Sequence, residues 1–121
     1  MDVQPAEDGE NMSNANRKAG DRAEYEAIRM LEDDGYYTTR SAGSLGEFDI
    51  AAFSSERSLL VQVKSSSSET RLRAAMRKAR DVVEKYDLAA DIEVWGRIKG
   101  GPRKPPRWIK WRKVEEGWSE P

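Results

Sequence analysis

Two short apolar runs near the middle of the chain predict a β-hairpin, and they constrain the fold more than any other feature. The runs are EFDIAAFS (47–54) and LLVQVKS (59–65), and the residues SERS between them are typical of a tight turn. Polar side chains interrupt both runs, because Asp49 lies in the first while Gln62 and Lys64 lie in the second. Strand interiors are depleted in such residues, since an unpaired acid or ammonium is costly to bury. We therefore expect these three side chains to have partners or a function.

The remaining periodicities place one helix before this hairpin and one helix after it. The full order is α-β-β-β-α-β-β, which predicts one domain of the α/β (α+β) class with a mixed five-stranded sheet flanked by helices. We expect this domain to span residues 16–114, between a disordered acidic tail (1–15) and a loose C-terminal segment (115–121). The further predicted elements are helices from Asn16 to about Asp34 and over 69–87, and strands over 36–41, 90–98 and 107–114.

The composition excludes several classes of site. The 121 residues include no cysteine and no histidine, so disulfides, structural zinc, the Ser–His–Asp triad and the Cys–His dyad are absent. Catalysis would have to use carboxylates, lysine, serine or tyrosine, around a hard cation such as Mg²⁺. No apolar run is long enough for a membrane span, and the N-terminus does not resemble a secretory signal, so we expect a cytoplasmic protein.

Charge is unevenly distributed along the chain. The formal net charge is -1, but residues 1–15 contain four acids and no base. Residues 97–113 contain eight bases and no acid. This basic segment suits a polyanionic partner, and a solvated basic tail is the simpler alternative.

A fourth polar residue interrupts the apolar stripe of the first predicted helix. Glu24 lies three residues before Ala27 and seven before Leu31, so it shares their inward face. Taken singly, Glu24 could form an ion pair at the fringe of the core, and Asp49 or Lys64 could lie on an edge strand. One arrangement accounts for them together: the two carboxylates and the amide oxygen of Gln62 converge on a divalent cation, with Lys64 beside them. Such a site would hydrolyse a phosphodiester.

The same residues carry a resemblance to a known family. The opening KAGDRAE, the segment GYYTTRSAGS, then FDI and VQVKSS occur in this order over residues 17–66. In this stretch the chain resembles the archaeal-type Holliday junction resolvases, including forms found in viruses, which are PD-(D/E)XK nucleases. The resemblance implies a restriction-endonuclease-like αβββαβ core.

The resemblance also implies an activity. By position it makes Glu24, Asp49 and Gln62 the metal-binding catalytic residues. Lys64 becomes the catalytic lysine, and Ser41 a further catalytic group. Such resolvases are Mg²⁺-dependent homodimers, and we expect Mn²⁺ to substitute. They bind four-way DNA junctions and nick two opposed strands, leaving 5′-phosphate ends. The expected location is the cytoplasm, at the nucleoid, or the host cytoplasm for a viral form.

The expected contacts to DNA phosphates come partly from the resemblance and partly from the basic segment. Arg40 and Ser44 correspond to positions near the active site in the family. The residues expected to bind DNA are Arg17, Lys18, Arg40, Ser44, Arg97, Lys99, Arg103 and Lys104.

One departure from the family pattern concerns Gln62, which stands where an acid is usual. A neutral amide can ligate Mg²⁺, but we expect weaker metal affinity. Glu47, two residues before Asp49, is a candidate to supply the missing charge, although a solvent-facing role is simpler. The alternatives are a nuclease of the same fold that acts on flap, branched or nicked DNA, a catalytically degenerate junction-binding protein, and a small interaction protein.

Overall fold

The computed structural model describes residues 10–41 and 47–121, with side chains described from residue 19 onward. Its element order is α-β-β-β-α-β-β-β, which contains the predicted αβββαβ core. The elements are α1 (Glu10–Asp33), β1 (Tyr37–Arg40), β2 (Ile50–Phe53), β3 (Ser58–Ser66), α2 (Glu69–Val83), β4 (Asp91–Ile98), β5 (Arg107–Val114) and β6 (Gly117–Ser119).

The strands form one mixed sheet in the order β1-β2-β3-β4-β5-β6. The first three strands and the last three strands each pair antiparallel in succession. Between these groups β3 and β4 run parallel, and α2 connects them. A parallel pair requires such a crossover, so α2 must lie on one face of the sheet.

Each face of the sheet is covered by one helix. The α1 face buries a cluster of Ala23, Ala27, Leu31, Ile50, Ala52, Leu59, Val61, Val63 and Trp95. The α2 face buries a cluster of Leu72, Met76, Ala79, Val83, Ile92, Val94, Ile98, Ile109 and Trp111. Because strand side chains alternate between faces, Val61 and Val63 point towards α1, whereas Gln62 and Lys64 lie on the α2 side.

Local sequence signals set two helix boundaries. Gly35 adopts a φ of 91°, and the backbone N–H groups of Gly35 and Tyr36 donate to the carbonyls of Glu32 and Leu31. This is a glycine-terminated helix ending, and it agrees with the predicted end of the helix at about Asp34. At the start of α2, the Ser68 side chain accepts a hydrogen bond from the Arg71 N–H, so the serine run supplies the N-cap.

Glu93 on β4 is a buried acid, with only 5% of its surface exposed. Its Oε2 accepts hydrogen bonds from Arg57 at 2.8 Å and from Arg112 at 3.0 Å. Its Oε1 accepts from the Trp95 indole at 2.7 Å. This carboxylate therefore joins the β2–β3 turn to β4 and β5.

The structure differs from the sequence predictions at both ends of the chain. The sheet has six strands rather than five, because residues 117–119, within the segment expected to be loose, pair with β5. Glu120 then accepts a hydrogen bond from the Trp111 indole at 2.8 Å. Helix α1 begins at Glu10 rather than Asn16, so it includes part of the tail expected to be disordered. The rest of that tail, residues 1–9, lies outside the described residues.

Two predicted elements are several residues shorter in the structure. Helix α2 ends at Val83 rather than near residue 87. Strand β2 begins at Ile50, so Asp49 immediately precedes the strand instead of lying inside it. In the part of the chain that the structure describes, no helix combines the length and the apolar character needed to span a bilayer.

Candidate active site

Asp49 lies where β2 begins and is held against the backbone of β3. Its N–H donates to the Val61 carbonyl at 2.9 Å, and its Oδ2 accepts from the Val63 N–H at 2.8 Å. Because Val61 and Val63 flank Gln62, the Asp49 carboxylate is adjacent to the Gln62 position on β3. Burial raises the pKa of Asp49, while the bond from Val63 and the positive charges of Lys64 and Arg40 oppose that rise.

Glu24 approaches from α1, between the buried Ala23 and Ala27. Its Oε1 accepts a hydrogen bond from Arg40 Nε at 2.7 Å. Burial raises the pKa of Glu24, the bond to Arg40 opposes the rise, and repulsion from Asp49 adds to it. The two carboxylates are therefore close enough to repel each other, and their convergence on a metal ion stays a prediction.

Arg40, at the end of β1, is the cation closest to Glu24. It also donates to Asp21 at 2.5 Å and to the Tyr25 hydroxyl at 3.2 Å, and its guanidinium lies 4.7 Å from the Tyr25 ring centroid. Sequence reasoning expected Arg40 to contact phosphate and did not identify Asp21 or Tyr25. Asp21 lies three residues before Glu24 and four before Tyr25, spacings that place neighbours on one side of a helix, and this was the available signal.

Ser41 contributes its backbone to the site. Its N–H donates to the Asp49 carbonyl at 2.8 Å, which fixes the end of β1 beside the start of β2. The predicted phosphate contact at Ser44 lies outside the described residues.

Gln62 and Lys64 line a depression of about 320 Å³ on the α2 side of the sheet, together with Glu47 and Lys78. Glu47, the candidate for the missing charge, accepts a hydrogen bond from the Tyr86 hydroxyl and lies 3.8 Å from the Lys85 ammonium. Glu47 therefore shares a surface with Gln62, although other groups already engage its carboxylate.

The donor set suits a hard cation with few protein ligands. Among the described side chains, no three acidic residues are grouped closely enough to hold a metal ion. Two carboxylates, Glu24 and Asp49, remain, whereas the Gln62 side chain lines the depression on the α2 side of the sheet. Mg²⁺ keeps several of its waters and commonly uses one or two carboxylates, so these oxygen donors fit it.

The basic residues expected to bind DNA occupy different environments. Arg97 is not a surface residue: only 7% of it is exposed, and its guanidinium donates two hydrogen bonds of 2.8 Å to Glu26. This pairing braces β4 against α1, and DNA binding at Arg97 stays a prediction. Lys99, Arg103 and Lys104 are exposed around the loop between β4 and β5. Arg17 and Lys18 lie on α1, and their side chains are outside the described set.

Comparison with known proteins identifies the family. The family model described as archaeal Holliday junction resolvase (Hjc) matches residues 15–94, which include Glu24, Asp49, Gln62 and Lys64. Among solved structures, Hjc of Archaeoglobus fulgidus, a Holliday junction resolvase from an archaeal hyperthermophile, is 20% identical, with a TM-score of 0.46 over 84% of this chain and 82% of that chain. No curated protein sequence matches. The chain belongs to the archaeal Holliday junction resolvase family.

Proposed function

We propose that the protein is a structure-selective endodeoxyribonuclease that resolves four-way DNA junctions by metal-dependent nicking of two opposed strands, leaving 5′-phosphate ends. The observation that carries the proposal is the coupled pair of Glu24 and Asp49, with Lys64 and Arg40 beside it, within the part of the chain that matches the resolvase family. Raised carboxylate pKa values beside specific cations are typical of catalytic sites.

Each residue has a role that follows from its position. Glu24 and Asp49 would hold Mg²⁺ or Mn²⁺, with the Gln62 oxygen as a neutral ligand. A divalent cation in this position would polarise the scissile phosphate and lower the pKa of the attacking water. Lys64, whose charge acts on Asp49, would orient that water or stabilise the charge that develops on the phosphate.

Arg40 and Ser41 would bind the phosphate beside the two carboxylates. In the structure Arg40 neutralises Glu24 and Asp21. We expect a phosphate to draw the Arg40 guanidinium away from Glu24, because the bidentate fork of arginine suits phosphate oxygens.

The symmetry of the substrate favours a homodimer. A four-way junction presents two equivalent strands, and a two-fold dimer would present one active site to each of them. Sedimentation of the protein with and without junction DNA would test this stoichiometry.

The experiment that tests the activity is nicking of a labelled immobile four-way junction beside linear duplex and flap DNA. The wild type is compared with Asp49→Asn in Mg²⁺ and in EDTA, and Asp87→Asn, at an exposed position beyond α2, serves as the matched control. We expect paired symmetric nicks on the junction that EDTA and Asp49→Asn abolish and Asp87→Asn leaves intact.

A second candidate function is favoured by the neutral Gln62. With two carboxylates in place of three acids, the protein would be a junction-binding protein without nuclease activity. Tight junction binding without nicks in Mg²⁺ or Mn²⁺ would support that alternative and contradict the nuclease. Equal cutting of flap or nicked duplex would instead indicate a nuclease of broader specificity.

A further inference from the structure

A second cavity adjoins the proposed active site at Lys64. It is an open depression of about 720 Å³ between α1, the end of β3 and the first turn of α2. This volume lies within the range of roughly 300–1,000 Å³ that is usual for ligand sites. Its polar lining consists of Arg22, Lys64, Ser65, Ser66, Ser67, Arg71, Arg97 and Lys99.

The lining is strongly cationic. No acidic side chain lines this cavity within the described residues. The charge of Arg97 is neutralised by Glu26, but no acid of residues 19–41 or 47–121 forms a salt bridge with Arg22, Arg71 or Lys99. The cavity therefore has a net positive potential that an anionic ligand would neutralise.

The serine wall of the cavity, Ser65–Ser67, is fixed at its middle residue, Ser66. The Ser66 carbonyl accepts a hydrogen bond from the Lys99 N–H at 2.9 Å, and the Ser66 hydroxyl accepts one from the Ser68 N–H at 3.2 Å. These contacts attach the end of β3 to the end of β4 and to the cap of α2. Ser65 and Ser67 line the cavity beside the basic residues, and hydroxyl donors together with cations are the groups that bind phosphate oxygens.

The position of the cavity selects the anion. Lys64 lines this cavity and also acts electrostatically on Asp49, so the cavity begins where the proposed cleavage site ends. Ser65 and Ser66 lie about 3–7 Å further along β3 at a strand rise of ~3.3 Å per residue. That distance is on the scale of one or two nucleotides, since each strand of DNA advances about 3.4 Å per nucleotide.

We propose that this cavity, lined by Ser65, Ser67, Arg71 and Lys99, binds a DNA backbone phosphate next to the scissile one in the strand that is cut. The inference rests on the proposed nuclease function. A phosphate bound in this cavity would fix the register of the cut DNA strand over Lys64. The serine run would then have a role beyond connecting β3 to α2. Arg22 closes the cavity on the α1 side.

The test combines protein variants with site-specific removal of phosphate charge. A single neutral methylphosphonate is placed in turn at each phosphate near the centre of one junction strand, and binding is measured in EDTA, where no cutting takes place. The protein variants are Arg71→Gln/Lys99→Gln and the matched control Arg103→Gln/Lys104→Gln, which removes the same charge from the exposed loop between β4 and β5. Thermal melting verifies that all variants fold.

We expect one methylphosphonate position to weaken junction binding by the wild type about tenfold. The same methylphosphonate should weaken junction binding by Arg71→Gln/Lys99→Gln much less, since the losses from two groups in contact are not additive. We call this non-additivity coupling, and the phosphate that shows it the coupled position. The control double should show additive losses at that position. In Mg²⁺, the nick should map to a phosphate one or two nucleotides from the coupled position.

Additive losses for Arg71→Gln/Lys99→Gln at every position would overturn the inference, as would coupling only at phosphates remote from the nick. The two proposals fail separately. Coupling without any nicking in Mg²⁺ or Mn²⁺ would refute the nuclease function but keep the phosphate-binding role of the cavity. Nicking without coupling would refute only the phosphate-binding role of the cavity.

Discussion

The buried carboxylate of Glu93 allows a quantitative prediction about what holds the sheet together. In Glu93→Gln the amide oxygen can accept either from the two arginines or from the Trp95 indole, but not from both sides. The amide NH₂ then faces a donor, and one buried bond is lost. An unsatisfied buried donor costs about 1–3 kcal/mol, and the remaining bonds lose their charge assistance.

The exposure of the partners limits the total cost. Breaking a fully buried ion pair costs about 3–5 kcal/mol. Here the Arg57 and Arg112 side chains are 28% and 47% exposed, so water can solvate them once the charge is removed. We therefore expect Glu93→Gln to lower the free energy of unfolding by about 2–3 kcal/mol, which corresponds to a fall in Tm of about 10 °C for a domain of this size.

The matched control is Glu69→Gln at the start of α2. Glu69 also accepts from two arginines, Arg73 and Arg107, each at 3.0 Å, but it is exposed. Solvent screens an exposed ion pair, so this variant should lose much less stability than Glu93→Gln. Urea unfolding of both variants at low and high salt makes the comparison, and only the Glu69 effect should shrink with salt. Equal losses in the two variants would refute the argument that burial sets the energy of the Glu93 cluster.

Three further predictions concern the site and the core. Gln62→Glu should lower the Mg²⁺ concentration for half-maximal nicking about tenfold or more, because a charge at ~4 Å contributes about 1–4 kcal/mol; an unchanged Mg²⁺ requirement would remove Gln62 from the metal site. Asp49→Asn should raise Tm at pH 7, because the raised pKa of Asp49 makes its ionised form destabilising. The free energy of unfolding of the wild type then falls as pH rises from the ordinary pKa of a carboxyl group through the raised pKa of Asp49. The gain in Tm should therefore vanish in acid, and a gain that persists there would contradict this reasoning. Gly96→Ala should cost about 1–3 kcal/mol in urea unfolding, because its Cβ would overlap Met76 Sδ and lie 2.9 Å from a Leu72 methyl; an unchanged midpoint would show that α2 can move away from β4.

Sequence periodicity predicted most of the fold because its signals are local. The apolar runs that predicted β2 and β3, and the helical periodicities before and after them, each act over a few residues, and all of these elements are found in the structure. The strand β6 was missed because three residues, Gly117–Ser119, carry no measurable period.

The candidate site was predicted in its residue types but not in its pairings. Glu24 and Asp49 were identified because each interrupts an apolar pattern. The partners of the arginines were not, because Arg97 meets Glu26 across 71 residues of chain and Arg40 meets Glu24 across 16. Whether a basic side chain is available to bind DNA depends on such long-range ion pairs, which composition does not reveal.

The two hydrogen bonds of Asp49 to β3 have a consequence for how this residue can be studied. Its Oδ2 takes the place of the strand carbonyl that the Val63 N–H would otherwise need. The same carboxylate that we assign to chemistry is thus also the last acceptor of the β2–β3 ladder. An alanine at this position would orphan a buried donor and confound lost activity with a damaged sheet. Asparagine keeps an acceptor oxygen for Val63 and removes only the charge, so it separates the two duties of this side chain.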